Sequence, residues 1–216
     1  MIQLERMDDF FHQRLDGYDE HMLNNIDGAK EFYPFTASSL PLKQPIRLLD
    51  LGCGTGLELE YIFELNDQIE VTCIDLAEGM LNQLKKKFSD KNIKIICNSY
   101  FDVEFEPCDA AVSVESLHHF TQQEKIPLYK KLYDSLSDGG CFVLTDYFAL
   151  NDEEELMHRN TLNQLRETQQ IQDNVFVHYD TPLTVNHEIE ALKCAGFSTV
   201  ELLKSWGATS VIKAVK

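Results

Sequence analysis

From residue 46 onward, apolar positions in this 216-residue chain alternate between two rhythms. Residues 46–51 are apolar apart from Arg47 and Asp50 and stop at Gly52, which reads as a buried strand. Leu59, Ile62 and Phe63 then recur at helical spacing. A β-rich run over 70–75 ends in Asp75, and Met80, Leu84 and Phe88 follow four apart, with Lys85, Lys86 and Lys87 on the outer side of that helix. Further strands are predicted over 93–97 and 110–114, and a helix whose stripe is Tyr129, Leu132, Tyr133 and Leu136. Thr121 and Glu124 form a capping box at its start. Pro127 cannot sit deep in a helix, so it is expected in the first turn. Asp138-Gly139-Gly140 turns the chain into a fifth strand over 141–145. Alternation of this kind predicts an α/β fold, a mostly parallel sheet with helices on both faces.

Two segments stand outside the rhythm. Residues 1–45 carry Phe10, Phe11, Tyr18, Phe32, Tyr33 and Phe35 among acids and read as one or two helices. Residues 148–184 hold a charged helix opening at Asn151, then a loop with His178 and Tyr179. Val185, Ile189 and Leu192 form a helix stopped by Gly196, and strands over 199–204 and 210–215 close the chain.

The first strand-to-helix junction, 48–56, reads Leu-Leu-Asp-Leu-Gly-Cys-Gly-Thr-Gly. Glycines at alternate positions let the backbone turn and approach a ligand where a Cβ would collide. The junction lies at the carboxyl end of a strand, where open α/β sheets bind ligands. It differs from the dinucleotide fingerprint G-x-G-x-x-G, because Leu57 holds the sixth position. The motif resembles that of the class I S-adenosylmethionine-dependent methyltransferases, with an acid two residues before the first glycine and then G-x-G-x-G. The turn at 138–140, Ala195-Gly196-Phe197 and the two last strands fit the same plan. The resemblance implies a Rossmann-like seven-stranded sheet of order 3-2-1-4-5-7-6 with strand 7 antiparallel. It also implies a helical lid over 1–45 and a methyltransferase core over 46–216 carrying an inserted substrate cap at 148–184. S-adenosylmethionine is the implied cofactor.

Gly52, Cys53, Gly54 and Gly56 would cradle that cofactor. Asp75, at the second strand end, can accept hydrogen bonds from a ribose diol or cap the next helix. Leu76 and Met80 could sandwich an adenine ring, and Met80 equally suits the core. A charge at Asp50, within a strand, is costly unless paired. The resemblance places it toward the cationic methionine end. Where the family often carries an acid near the adenine amino group, this chain has Ser99 beside Tyr100, so the contact comes from that hydroxyl or from backbone amides. The resemblance also puts Tyr18 of the lid over the cofactor and Glu115 at the end of the fourth strand beside it.

His118 and His119 follow Glu115, Ser116 and Leu117. By resemblance they face the transferred methyl, as general base or as packing and capping groups. Asp146 and Tyr147 at the fifth strand end point to the same cleft, while His158, Arg159 and His178 read as surface residues. Adjacent side chains diverge and no third ligand is evident, so no metal is expected.

Composition narrows the partners. A net charge of −17 argues against binding a phosphate backbone. No apolar run approaches the length of a membrane span, and no signal peptide opens the chain. Six cysteines scattered without a C-x-x-C pair suit a reducing compartment. The expectation is a cytoplasmic monomer or homodimer that methylates a small-molecule acceptor. Another reaction on S-adenosylmethionine, such as making a modified sulfonium, is the alternative, and a cationic pocket for a second carboxylate would favour it. A non-catalytic S-adenosylmethionine-binding module comes next, and a nicotinamide dehydrogenase last.

Overall fold

The β-branched and leucine-rich runs pair into one sheet made of β1 (Arg47–Leu51), β2 (Glu70–Asp75), β3 (Ile93–Cys97), β4 (Cys108–Val114), β5 (Leu136–Tyr147), β6 (Thr199–Trp206) and β7 (Thr209–Val215). A computed structural model describes residues 2–43, 46–172 and 174–216. The lid boundary expected at 45 therefore falls against residues 44 and 45, outside the described residues. Strand order is β3-β2-β1-β4-β5-β7-β6. All pairs are parallel except those of β7, which runs antiparallel to β5 and β6. This is the order and orientation that the resemblance implied.

Alternate side chains of each strand enter opposite cores. Leu48, Val112 and Val143 face one side, covered by α3 (Ala29–Ser39), α4 (Leu57–Leu65) and α5 (Glu78–Lys87). Leu49, Leu51, Phe142 and Leu144 face the other, under α6 (Gln122–Ser135) and α8 (Val185–Cys194). Fully buried Phe32 and Leu59 each contribute about 1.5–3 kcal/mol by leaving water. Between α6 and α8 a buried trio is satisfied internally: Lys125 Nζ lies 2.5 Å from Glu188 Oε2, and Tyr129 donates to Glu188 Oε1.

Three local expectations change. Residues before the sheet form three short helices rather than one or two, α1 (Met7–Gln13), α2 (Tyr18–Asn25) and α3, because Gly17 and Gly28 take left-handed angles between them. Pro127 sits in the second turn of α6, where the Gln123 carbonyl it leaves unbonded is at an exposed position that water can satisfy. Residues 138–140 are an irregularity inside a longer β5, so Leu136 begins that strand instead of ending the helical stripe.

Two long-range ties set the roof of the site. Arg6 pairs with Val177 as an antiparallel bridge, with Met7 N donating to Phe176 O at 3.1 Å and His178 N to Glu5 O at 2.9 Å. Asp19 of α2 accepts from Thr55 in the glycine loop and from Lys87 of α5 at 2.7 Å. Among the described residues no helix is long and apolar enough to cross a membrane.

Candidate functional site

β1 ends in a loop whose amides at Gly52 and Cys53 both donate to Ile74 O, which folds the loop back over β2. Gly52 has φ +75°, and a Cβ there would lie 1.9 Å from Ser116 Oγ, so only glycine admits the β4 end so close. Gly54, at φ +50°, is different: a Cβ built on it meets nothing within 4 Å. Its left-handed backbone faces open space, the arrangement a ligand-approach position requires. Gly54 N and Ala77 N donate to the two oxygens of Asp75 at 2.9 and 2.8 Å. Asp75 thus fixes the loop and still has lone pairs for a diol.

A cleft opens over this loop. Of the residues proposed from sequence to hold the cofactor, Tyr18, Gly52, Cys53, Gly54, Asp75, Leu76, Met80, Tyr100 and Glu115 line it. Leu76 is 38% exposed there, an apolar surface left open beside Asp75. Gly56 lies behind, where a Cβ would strike Phe88, and Ser99 lines a second, adjoining cavity.

Asp50 is fully buried and also stands outside the lining. Neither of its carboxylate oxygens has a hydrogen-bond partner among the described residues, and the same holds for Glu58 Oε1. Burial and the neighbouring Glu58 push Asp50 well above the carboxylate range, and burial pushes Glu58 up to about 7. Glu58 does line the cleft. Two buried acids with oxygens that lack a hydrogen-bond donor among the described residues make a site that suits a positively charged group. Glu58 was missed in the sequence; its signal is an acid between Leu57 and Leu59 on the buried face of α4.

The β4 end turns through Glu115, which holds φ +50°, a conformation costing a non-glycine residue about 1–3 kcal/mol. Burial and Asp146 push its carboxyl up to about 7. The turn leads into a short 3-10 helix, Leu117–His119. His118 Nδ1 lies 2.5 Å from Asp146 Oδ1, and Leu117 N donates to Asp146 Oδ2. Burial works against a charged His118 ring, but Asp146 and Asp180 outweigh it and hold its pKa well above the ordinary value. Burial and the His118 charge keep His119 well below. His119 lines the cofactor cleft, and His118 lines a neighbouring cavity with Glu115, Tyr147, His178 and Asp180. The third group that the sequence did not reveal is Asp180, whose Oδ1 lies 3.5 Å from His118 Nε2 and 3.4 Å from His119 Nδ1.

The second cavity shares Met7, Asp8, Leu76, Tyr100, His119 and Phe176 with the cofactor cleft, so the two are continuous. Arg6, Arg159 and Arg166 line it. Arg166 is spent on the carbonyls of Gln172 and Val175. Arg159 contacts Glu155 at 3.3 Å, but its Nε is buried without an acceptor among the described residues. Arg159, expected at the surface, is a wall of the site; His158 lines a separate outer cavity, and His178 lines both that cavity and the one beside His118.

Comparisons with known proteins agree with the fold. Residues 48–140 match the methyltransferase domain family. A carboxy-S-adenosyl-L-methionine synthase from Nautilia profundicola is 23% identical over 225 residues, covering 97% of this chain and 90% of that protein. Human N-acetylserotonin methyltransferase, solved in complex with S-adenosylmethionine, superposes with a TM-score of 0.67 at 18% identity, covering 94% of this chain and 55% of that one. The cyclopropane synthase MmaA2 from Mycobacterium tuberculosis gives 0.65 at 16%, covering 87% and 83%.

Proposed function

We propose that this chain, which has the class I S-adenosylmethionine-dependent methyltransferase fold, is an enzyme that binds S-adenosylmethionine in the glycine-loop cleft and transfers its methyl group to a small molecule in the adjoining cavity. The observation that carries the reading is the open space over Gly54, bounded by Asp75 and by the uncompensated acids Asp50 and Glu58. Asp75 would hold the ribose diol, Leu76 would lie against the adenine, and Glu58 backed by Asp50 would receive the ammonium. Bound S-adenosylmethionine supplies an electrophilic sulfonium methyl. The protein then has chiefly to align an acceptor within about 3–3.5 Å of that carbon and keep water out. His119 lies where the two cavities meet and can take a proton from a hydroxyl or amine, since burial keeps the ring neutral. Residues 1–45 and 148–184 act as lid and cap over the core at 46–216. All six cysteines are free thiols, which supports a cytoplasmic setting.

A second reading has its own support. Arg159, whose Nε is buried without an acceptor among the described residues, offers a cationic group to a carboxylate in the second cavity. The Nautilia relative's name is that of an enzyme making carboxy-S-adenosylmethionine. On this reading the sulfonium is remade with an added carboxyl group rather than spent as a methyl donor.

Calorimetry with S-adenosylmethionine and its demethylated product tests the shared claim, with micromolar binding of both expected, near −8 kcal/mol. No heat with either compound overturns it. Mass spectrometry of the turned-over cofactor separates the two reactions: demethylated product means methyl transfer, and a heavier sulfonium means the second reading.

A further inference from the structure

We propose that His118, His119 and Asp180 form a binding site for a divalent first-row transition ion where the cofactor cleft meets its neighbouring cavities. Their ligand atoms all lie within 4.8 Å of one another. The two imidazole nitrogens stand 3.5 and 3.4 Å from Asp180 Oδ1. Ligands about 2.0–2.2 Å from a tetrahedral ion are separated from each other by about 3.3–3.6 Å. Charge-assisted hydrogen bonds are shorter, about 2.7–2.9 Å. The cluster therefore has the spacing of groups sharing a cation rather than of groups bonded to each other.

Three further observations point the same way. Asp180 Oδ1 is buried and makes no hydrogen bond among the described residues, although it belongs to a side chain that is 43% exposed. The oxygen turned inward is the one without a donor. His118 is held by its other nitrogen: Nδ1 meets Asp146, which is itself fixed by the amides of Leu117 and Tyr147. A carboxylate behind a histidine in this way orients the remaining nitrogen toward a metal. Lastly, the histidine side chains are only 10% and 5% exposed, so they meet little bulk water. His119 Nδ1 also lies 3.2 Å from Tyr179 O, a contact that ligation exchanges for the ion.

Two imidazoles and one carboxylate favour zinc, iron, cobalt or nickel over magnesium or calcium, which take oxygen ligands. Three protein ligands leave a coordination position free at the junction of the cavities, since His119 lines the cofactor cleft, the acceptor cavity and the one beside His118. An acceptor hydroxyl bound there would lose its proton more readily, with the ion in place of a base. The two histidines are consecutive, and Asp180 arrives from the segment after α7 (Asp152–Gln169), so no sequence spacing shows the set.

The site does not depend on the cofactor reading, and its test needs no turnover. The chelator-stripped full chain is titrated with Co²⁺, followed by visible absorption, and then with Zn²⁺. We expect one equivalent of Co²⁺ to give ligand-field bands that Zn²⁺ abolishes and Mg²⁺ does not. Asp180→Asn and His119→Ala should each weaken Zn²⁺ binding by about tenfold or more. Circular dichroism identifies a variant that fails to fold, and Asp180→Asn, at a partly exposed position, provides the comparison if His119→Ala does. No bands and no Zn²⁺ heat at micromolar concentrations overturn the proposal, as does undiminished affinity in folded Asp180→Asn.

Discussion

On the cofactor side, residues 50–80 of one strand–loop–helix–strand–helix stretch shape the floor of the cleft largely through backbone: left-handed glycines and amides on Asp75, beside an exposed Leu76. On the acceptor side, side chains do the shaping, and they come from separate segments: Arg6, His119, Arg159 and Phe176. A backbone-built surface is fixed by the sheet and tolerates few exchanges. A side-chain-built surface can change its chemistry by single substitutions while the sheet stays as it is. The same scaffold can therefore keep one ligand and vary the other.

The contrast breaks if the backbone half proves tolerant. Gly54→Val should remove measurable S-adenosylmethionine binding in calorimetry, a loss of more than about 3 kcal/mol, while circular dichroism remains that of a folded protein. The valine would occupy the open space and add about 1–2 kcal/mol of left-handed strain. Near-normal affinity in the folded variant would mean that the loop does not cradle the ligand.

Asp75→Ala should cost about 1.5–3 kcal/mol of cofactor affinity, since it removes a charged acceptor and releases two loop amides. An unchanged dissociation constant would place the ribose elsewhere.

The paired acids sharpen the comparison through pH. A carboxyl with a raised folded pKa stabilises the fold below its unfolded pKa and loses that contribution as pH rises through the folded value, here about 7 for Glu58. The ligand-free protein should thus melt lower at pH 8 than at pH 6. Glu58→Gln should flatten that slope, by on the order of 2 kcal/mol. A cationic ligand meets the same charge, so the thermal shift caused by S-adenosylmethionine should be larger at pH 8. Equal slopes in wild type and variant would remove Glu58 from this role.

Smallest is the effect expected of Arg159→Ala on the cofactor, an affinity change within about twofold, while KM for a carboxylate-bearing second substrate rises by about tenfold. Steady-state kinetics that show the reverse split would erase the division between the halves.

The legibility of the chain follows the same line. The individual strands, the glycine loop and Asp75 rest on contiguous residues, and periodicity or a short motif exposes such features; the sheet order, a long-range pairing, came only through the family resemblance that the glycine motif carries. Glu58 was hidden because one acid in an apolar helix face reads as a surface position until the fold buries it. Asp180 and Arg159 were hidden because they gain their meaning from a fold-back that pairs Val177 with Arg6, a contact spanning most of the chain. Pro127 misled because proline rules speak of a lost donor and not of how readily water serves the orphaned carbonyl.

That pairing of Arg6 with Val177 has a mechanical side. The beginning of the chain and the segment leading to α8 are zipped by backbone hydrogen bonds directly above the cleft. Neither segment can leave the cleft alone without breaking those bonds, and α2 is tied on the far side through Asp19 to Thr55 and Lys87. The part of the cleft's wall made by Met7 and Phe176 is thus tied by main-chain bonds, which most exchanges of side chain leave in place.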